Sequence, residues 1–419
     1  MKNLRKFNTL SEYEAATLSY PSVSYIVETN NCKFDRYAPP PIDYSKEYLQ
    51  FEALESGTFK FSGNSINYSV DSGNTWTALA SNTDSPTVAS GETIMFKASG
   101  LTPTTNGIGR FRSTGQFKVK GNVMSLYYGD DFEDQTDLTG KNYAFRFLFS
   151  GCTGMTSAEN LVLPATTLAE SCYLQMFKGC SSLTTAPSLP ATTLASSCYS
   201  NMFQGCTSLT VAPALSATTL ADSCCNNMFS GCTSLTTAHE LPATTLADKC
   251  YQYMFNGCTS LTTAPELPAT KVLPYCYQYM FQGCTSLTTA PALPATTLKT
   301  RCYSNMFQGC TSLTVAPALS ATTLADSCCN NMFIGCTSLT TAPELPATTL
   351  ANNCYAAMFQ GCTRLNYIKC LATDISAYNS ILNWVSGVSS TGTFVKAASM
   401  TGWTTGVNGI PNNWTVQDA

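Results

Sequence analysis

Histidine and charge are scarce in this chain. Its 419 residues include one histidine, and Asp, Glu, Lys and Arg together make up 11%. A zinc site built from cysteine pairs and histidines therefore lacks ligands, and no metal or other cofactor is expected. The formal charge is −4, and no basic run interrupts it. That removes the electrostatic footprint of a nucleic-acid binder or of a protein held on an anionic membrane. No apolar stretch reaches the roughly 18–20 residues of a membrane span, so no membrane insertion is expected. The start, Met1 to Lys6, carries positive charge without an apolar run behind it, and ordinary secretion is not expected. A Ser-His-Asp set, a phosphate-cradling loop and a convincing carboxylate pair are also missing, so the chain reads as no enzyme.

Apolar residues are plentiful, at 44%, which suffices for a real core. They are arranged in a repeat of 26 residues. Gly-Cys recurs with its cysteine at Cys180, Cys206, Cys232, Cys258, Cys284, Cys310, Cys336 and Cys362, and a second cysteine keeps the same interval from Cys172 to Cys354. A fixed period of this size means stacked units that bury their apolar faces against their neighbours, which is a solenoid. Phe177 to Phe359 and Leu183 to Leu365 form two further columns at the same interval. The Met-Phe stretch between the cysteines has no Gly or Pro until its closing Gly, so it predicts a short helix. Ser-Leu-Thr-Thr-Ala predicts a short parallel strand that ends before the following proline. The expected fold class is accordingly mixed α and β.

Of the 21 cysteines, sixteen obey the repeat. At equivalent positions of successive coils they should form two columns of buried thiols. Vicinal Cys224-Cys225 and Cys328-Cys329 leave disulfides between columns as the alternative, against which an odd total weighs. His239 stands where sister repeats have Pro265 and Pro291, and reads as an exposed replacement in a turn.

Four segments follow from these patterns. Residues 1–45 form an arm with one strand around Val23 to Val27 and a stiff linker at Pro39 to Pro41, an attachment segment. Residues 46–140 alternate in short β-like runs and predict a small antiparallel sandwich. Residues 141–370 hold the solenoid. Residues 371–419 should cap its last coil, with a helix over 376–385 capped by Ser376. Within the sandwich, Ser69 to Trp76 resembles the Asp box of sialidases and other β-propellers, where Asp and Ser brace a hairpin turn. A single copy cannot build a propeller. Only Arg110 and Arg112 lie near it in sequence, too few for a sialidase arginine cluster.

The motif F-x-G-C-x-S-L, followed by a short strand and L-P-A-T-T-L, resembles the BspA-type leucine-rich repeat. The resemblance implies a leucine-rich-repeat solenoid that binds partners and catalyses nothing. The order of arm, Asp-box domain, array and the tail Gly409 to Val416 resembles virion and prophage-encoded surface proteins of phages infecting gut Bacteroides. This implies a virion fibre, spike or decoration protein that adheres to the host surface, joined to other virion proteins through its arm and assembled as a homo-oligomer. The alternative is a bacterial BspA-like surface adhesin that binds host or matrix proteins. For either, Tyr173, Tyr199, Tyr251, Tyr277, Tyr303 and Tyr355 share one repeat position beside rows of Ser and Thr. They are the candidate ligand-binding residues, with glycan the expected ligand. Tyr253 and Tyr279 add to them in two coils, whereas Cys225 and Cys329 interrupt the column.

Overall fold

The computed structural model describes residues 6–7, 25–28, 34–37 and 43–419. Met1–Tyr44 is one compact unit and Ser45–Ala419 another. The first contains β1 (Lys6–Phe7), β2 (Tyr25–Glu28) and β3 (Phe34–Tyr37). β1 runs parallel to β2 and β3 antiparallel to it, so three strands stand where the sequence predicts one. The proline segment at 39–41 lies outside the described residues.

The second unit begins with an antiparallel sheet of β4 (Leu49–Ala53), β6 (Ile66–Ser69), β7 (Thr77–Leu79), β8 (Thr93–Lys97) and β10 (Phe117–Asn122). A two-stranded ribbon, β5 (Phe59–Phe61) with β9 (Phe111–Ser113), accompanies it. Phe51 is the centre of the core, with ring centroids of Phe59, Phe96, Phe111 and Phe117 at 4.8–5.2 Å. Each fully buried ring contributes about 2–3 kcal/mol by leaving water. The sheet does not stop at the sandwich. β10 pairs in parallel with β11 (Met155–Val162), the first strand of the array, which makes the order β11-β10-β4-β8-β6-β7. The sandwich thereby covers the first coil's edge.

The array contains no helix, and the mixed α and β class is overturned. Among the described residues the helices are a 3-10 turn at Tyr44–Lys46 and the four-residue α1 (Ser125–Tyr128); the protein is an all-β structure. The stretch read as a helix is a run of linked β-turns. In one coil, the N–H groups of Cys198, Ser200, Met202, Gln204 and Cys206 donate three residues back, at 3.0–3.3 Å. The alternate N–H groups of Ser197, Tyr199, Asn201, Phe203 and Gly205 donate instead to carbonyls of the next coil, from Asp222 to Ser230, at 2.8–3.0 Å. A helix would turn every donor inward. Linked turns send half of them to the neighbour and satisfy the other half locally. The geometry places a positive φ at every fourth residue: 55° at Ser197, 55° at Asn201 and 72° at Gly205. That is the third position of a turn, which Gly and Asn tolerate and which a helix cannot contain.

The predicted Ser-Leu-Thr-Thr-Ala strand shrinks to single parallel bridges, such as Val211 to Thr237 and Thr263 to Thr289, with a second row at Thr219 to Thr245 and Thr297 to Thr323. The prolines that follow have no N–H to extend a ladder. Inside, Phe rings from Phe149 to Phe359 stack nearly parallel, with centroids 5.2–5.8 Å apart. The twenty cysteines from Cys152 to Cys370 are all free and buried, as two columns of thiols require.

The helix predicted over 376–385 is absent too. Asn379, Asn383 and Gly387 have φ of 52°, 54° and 77°, so the turn pattern continues for another coil. Trp384 takes the place of the Met and is fully buried. β12 (Tyr367–Cys370), β13 (Thr393–Lys396) and β14 (Thr415–Asp418) close the array as a parallel sheet.

Candidate binding surface

The tyrosine column proposed from the sequence is in the core. Tyr173, Tyr199, Tyr251, Tyr277 and Tyr303 are 1% exposed and Tyr355 is 0% exposed. Their rings stack from coil to coil, as in Tyr251 on Tyr277 and Tyr277 on Tyr303, each at 6.0 Å. Burial pushes their hydroxyl pKa well above the ordinary value, with nearby thiols as smaller contributions. A side chain with no exposed face cannot hold a ligand. The gaps at Cys225 and Cys329 are explained by the same packing, because both fill the column as buried thiols.

The threonine rows divide in two. Thr184, Thr236 and Thr288 use their hydroxyls to bond the carbonyls of Thr156, Thr210 and Thr262 in the coil before, at 2.9–3.2 Å. These serve the scaffold. The next residues, Thr237, Thr263, Thr289 and Thr341, are exposed, with Val211 and Val315 taking the same place in two coils. A groove of about 510 Å³ runs along the start of this face past Pro187, Pro213 and the exposed His239.

Several aromatic groups that reach the surface of the array lie on the turn face. Tyr253 and Tyr279 are half-buried, and their rings stack at 4.5 Å with an interplanar angle of 4°. Tyr275 lies nearby in the same stretch, with the Lys249 ammonium 5.7 Å from its ring. Rows of amides run beside the pair. Asn226 donates to Gln252 at 2.9 Å and Gln252 to Gln278 at 2.6 Å. Asn256 donates to Gln282 and Gln282 to Gln308, both at 2.9 Å. Gln252 and Gln282, in the middle of the rows, thus each use one donor and one acceptor along them.

The backbone holds this tyrosine pair in a left-handed slot of the repeat. Tyr253 and Tyr279 have φ of 58° and 59°, in the slot that Asn201, Asn227, Asn305 and Asn331 occupy in other coils. Asn suits the left-handed region, whereas a bulky side chain there costs about 1 kcal/mol or more. The sequence signal was available: two tyrosines in an asparagine slot.

In the sandwich, the hairpin resembling an Asp box is built as that motif requires. Ser69 Oγ donates to Asp71 Oδ1 at 2.7 Å and accepts from the Gly73 N–H at 2.9 Å, while Thr75 donates to Asp71 from both N–H and hydroxyl. These bonds, led by that from the Thr75 hydroxyl, hold the Asp71 carboxyl down at about 2. Trp76 packs edge-on against Tyr48 and lies under the Lys97 ammonium at 4.3 Å. The motif is a brace.

Among the described residues no three His, Cys, Asp or Glu side chains are grouped to hold a metal ion, and no helix is long and apolar enough to cross a membrane. A family model described as BspA type Leucine rich repeat region matches in six copies, over residues 143–239, 212–340 and 278–383. Repeats of this type are non-catalytic scaffolds. The match lies on the array and carries no link to a virion. No curated protein and no solved structure matches the chain.

Proposed function

Since the chain belongs to the BspA-type leucine-rich repeat proteins, we propose that it is a bacterial surface adhesin whose turn face binds a protein of a host cell or its matrix. The observation that carries this reading is the stacked pair Tyr253 and Tyr279, held half-exposed at left-handed positions in the middle of the array. Tyrosine supplies large contact area at little conformational cost and is enriched where binding energy concentrates. The amide rows add donors and acceptors on either side. A virion is the other setting, implied by the resemblance of the flanking segments. Probing intact cells and purified particles with antibody to the chain separates the two settings.

The slot itself supplies a clean test. Tyr253→Asn with Tyr279→Asn restores the residue used by four other coils, so the variant should fold and melt at least as well as wild type. Binding to wells coated with extracellular-matrix proteins, and to epithelial cells, should fall roughly tenfold to a hundredfold. A folded variant that binds as wild type does would remove this face from the reading. Wild-type protein that binds neither surface would remove the adhesin function.

A further inference from the structure

The sandwich carries a concave site of its own, where it meets the first coil of the array and several coils from the tyrosine pair. A cleft of about 570 Å³ is walled by Lys60, Asn64, Asn82, Asn106, Arg110 and Arg112, with Phe147 at its base, and neither Asp nor Glu lines it. This volume is in the range of small-molecule sites. Its walls are fixed by backbone against backbone. A Cβ on Gly107, at φ 76°, would meet the Arg146 carbonyl oxygen at 2.3 Å, and one on Gly109 would meet the Gly63 backbone at 2.6 Å. The cleft is therefore preformed.

Its charge is uncompensated. Arg110 and Arg146 both lie over the Phe147 ring, at 5.0 and 4.6 Å. Arg112 is braced from behind, donating to the carbonyls of Phe111 and Ser150 at 3.0 and 2.5 Å. Lys60 already has a counter-charge in Asp84 at 3.3 Å. Among the described residues no carboxylate comes within ion-pair distance of Arg110 or Arg112. Partial burial, followed by the neighbouring Arg112 charge, lowers the Arg110 pKa from its ordinary value. In a chain of net charge −4, two adjacent guanidiniums facing a cleft without an acid form a site that lacks its anion.

We propose that this cleft binds an anionic saccharide, a sugar carrying a carboxylate or a sulfate ester, with Arg110 and Arg112 on the anionic group. The guanidinium fork matches a planar carboxylate and also accommodates sulfate oxygens. The amides of Asn64 and Asn106 at the rim each offer both donors and an acceptor, and that of Asn82, which donates once to Ser81 Oγ, offers its other donor and its acceptor, the complement of ring hydroxyls. Hydrolysis is not part of the proposal, because no carboxyl group lines the cleft to serve as acid, base or nucleophile. The inference stands apart from the turn face and does not depend on it.

Titration calorimetry on the full chain tests it, with glucuronic acid, N-acetylglucosamine 6-sulfate, glucose, N-acetylglucosamine and inorganic sulfate as the probes. One or both acidic sugars should bind at least about tenfold more tightly than their neutral counterparts, and the tighter of the two identifies the anionic group. Arg110→Gln should weaken that binding by about tenfold or more, with an unchanged melting temperature. Asn82→Asp puts a negative charge on the rim while leaving both arginines in place, and it should do the same. Tyr253→Asn with Tyr279→Asn should leave acidic-sugar binding intact, and Arg110→Gln should leave binding to matrix proteins intact. Equal affinity for acidic and neutral sugars, binding of inorganic sulfate without any acidic sugar, undiminished binding by folded Arg110→Gln, or no binding at all would each overturn the proposal.

Discussion

The thiol of Cys206 donates to the carbonyl of Phe177 at 3.1 Å, across the boundary between two coils. The same bond recurs from Cys180 on Phe149 to Cys362 on Phe333, at 3.0–3.2 Å. A thiol is small enough for the core and still supplies a donor to a buried carbonyl. The column of cysteines is thus a column of cross-coil staples that need no oxidation.

Cys258→Ala should cost about 1–2 kcal/mol in urea unfolding, from a lost donor and a small void. Reductant should not change the melting temperature, and a thiol reagent should find the cysteines from Cys152 to Cys370 unreactive in the native protein. Burial lifts the thiols of Cys172 and Cys284 to about 12 from 9.0. The native state therefore holds its protons more tightly than the unfolded chain. Stability should be full below pH 9 and fall as the pH rises towards 12, seen as a declining urea midpoint. A midpoint that is flat from pH 8 to 11 would contradict this account.

Left-handed slots filled by residues other than Gly and Asn are points of strain. Ala357 has φ 51° and Gly257 has φ 70°. Ala357→Asn should stabilise the protein by about 0.5–1 kcal/mol, and Gly257→Ala should destabilise it by about 1–2 kcal/mol. A Cβ at Gly257 would touch neighbouring glycine backbone only at 3.8–3.9 Å, so the expected loss comes from φ and not from crowding. Denaturant melts of the two variants check both signs.

The Asp71 brace should respond to acid. Its carboxyl is held at about 2 against an ordinary 3.8, so its contribution is present above pH 3.8 and lost as the pH falls towards 2. Amide exchange in the hairpin from Ser69 to Thr77 should accelerate across that window. Asp71→Asn should show the faster exchange already at neutral pH.

Trp384 seals the far end of the array. It stacks on Trp403 at 5.6 Å and donates its indole N–H to the Gly409 carbonyl at 2.8 Å. Trp384→Ala should cost about 3–5 kcal/mol, with hydrogen exchange showing fraying from β14 inward. Trp384→Met, which installs the residue of the sister coils, should cost much less.

The period of 26 residues made the Phe, Leu and Cys columns legible as core. It could not tell which tyrosines were inside, since a repeat position is equally periodic on either face. The helix was misread for a physical reason. Cys198, Met202 and Cys206 are buried at intervals of four, as are Tyr199 and Phe203. A helix turns every 3.6 residues, whereas a four-residue beat belongs to linked turns. Asn201 and Gly205, also four apart, carried the same message at the left-handed positions. Of the arginine cleft the sequence showed only the close pair Arg110 and Arg112, because Lys60 and Asn82 are brought to them by loops of irregular length.

Alternate donors of each coil end on carbonyls of the next, one register step along. Removing a whole unit therefore lets two former strangers meet with every donor opposite an acceptor, whereas losing a single residue would misalign an entire row. The identical stretches Cys198 to Phe229 and Cys302 to Phe333 are what such indexing permits. Recombination within the gene can lengthen or shorten the array between generations, and each product that keeps frame and register is already a folded protein. The tyrosine pair sits between the two copies. The same slippage can multiply or discard that patch, so the reach and the valency of the proposed adhesive surface are open to rapid variation on a constant scaffold.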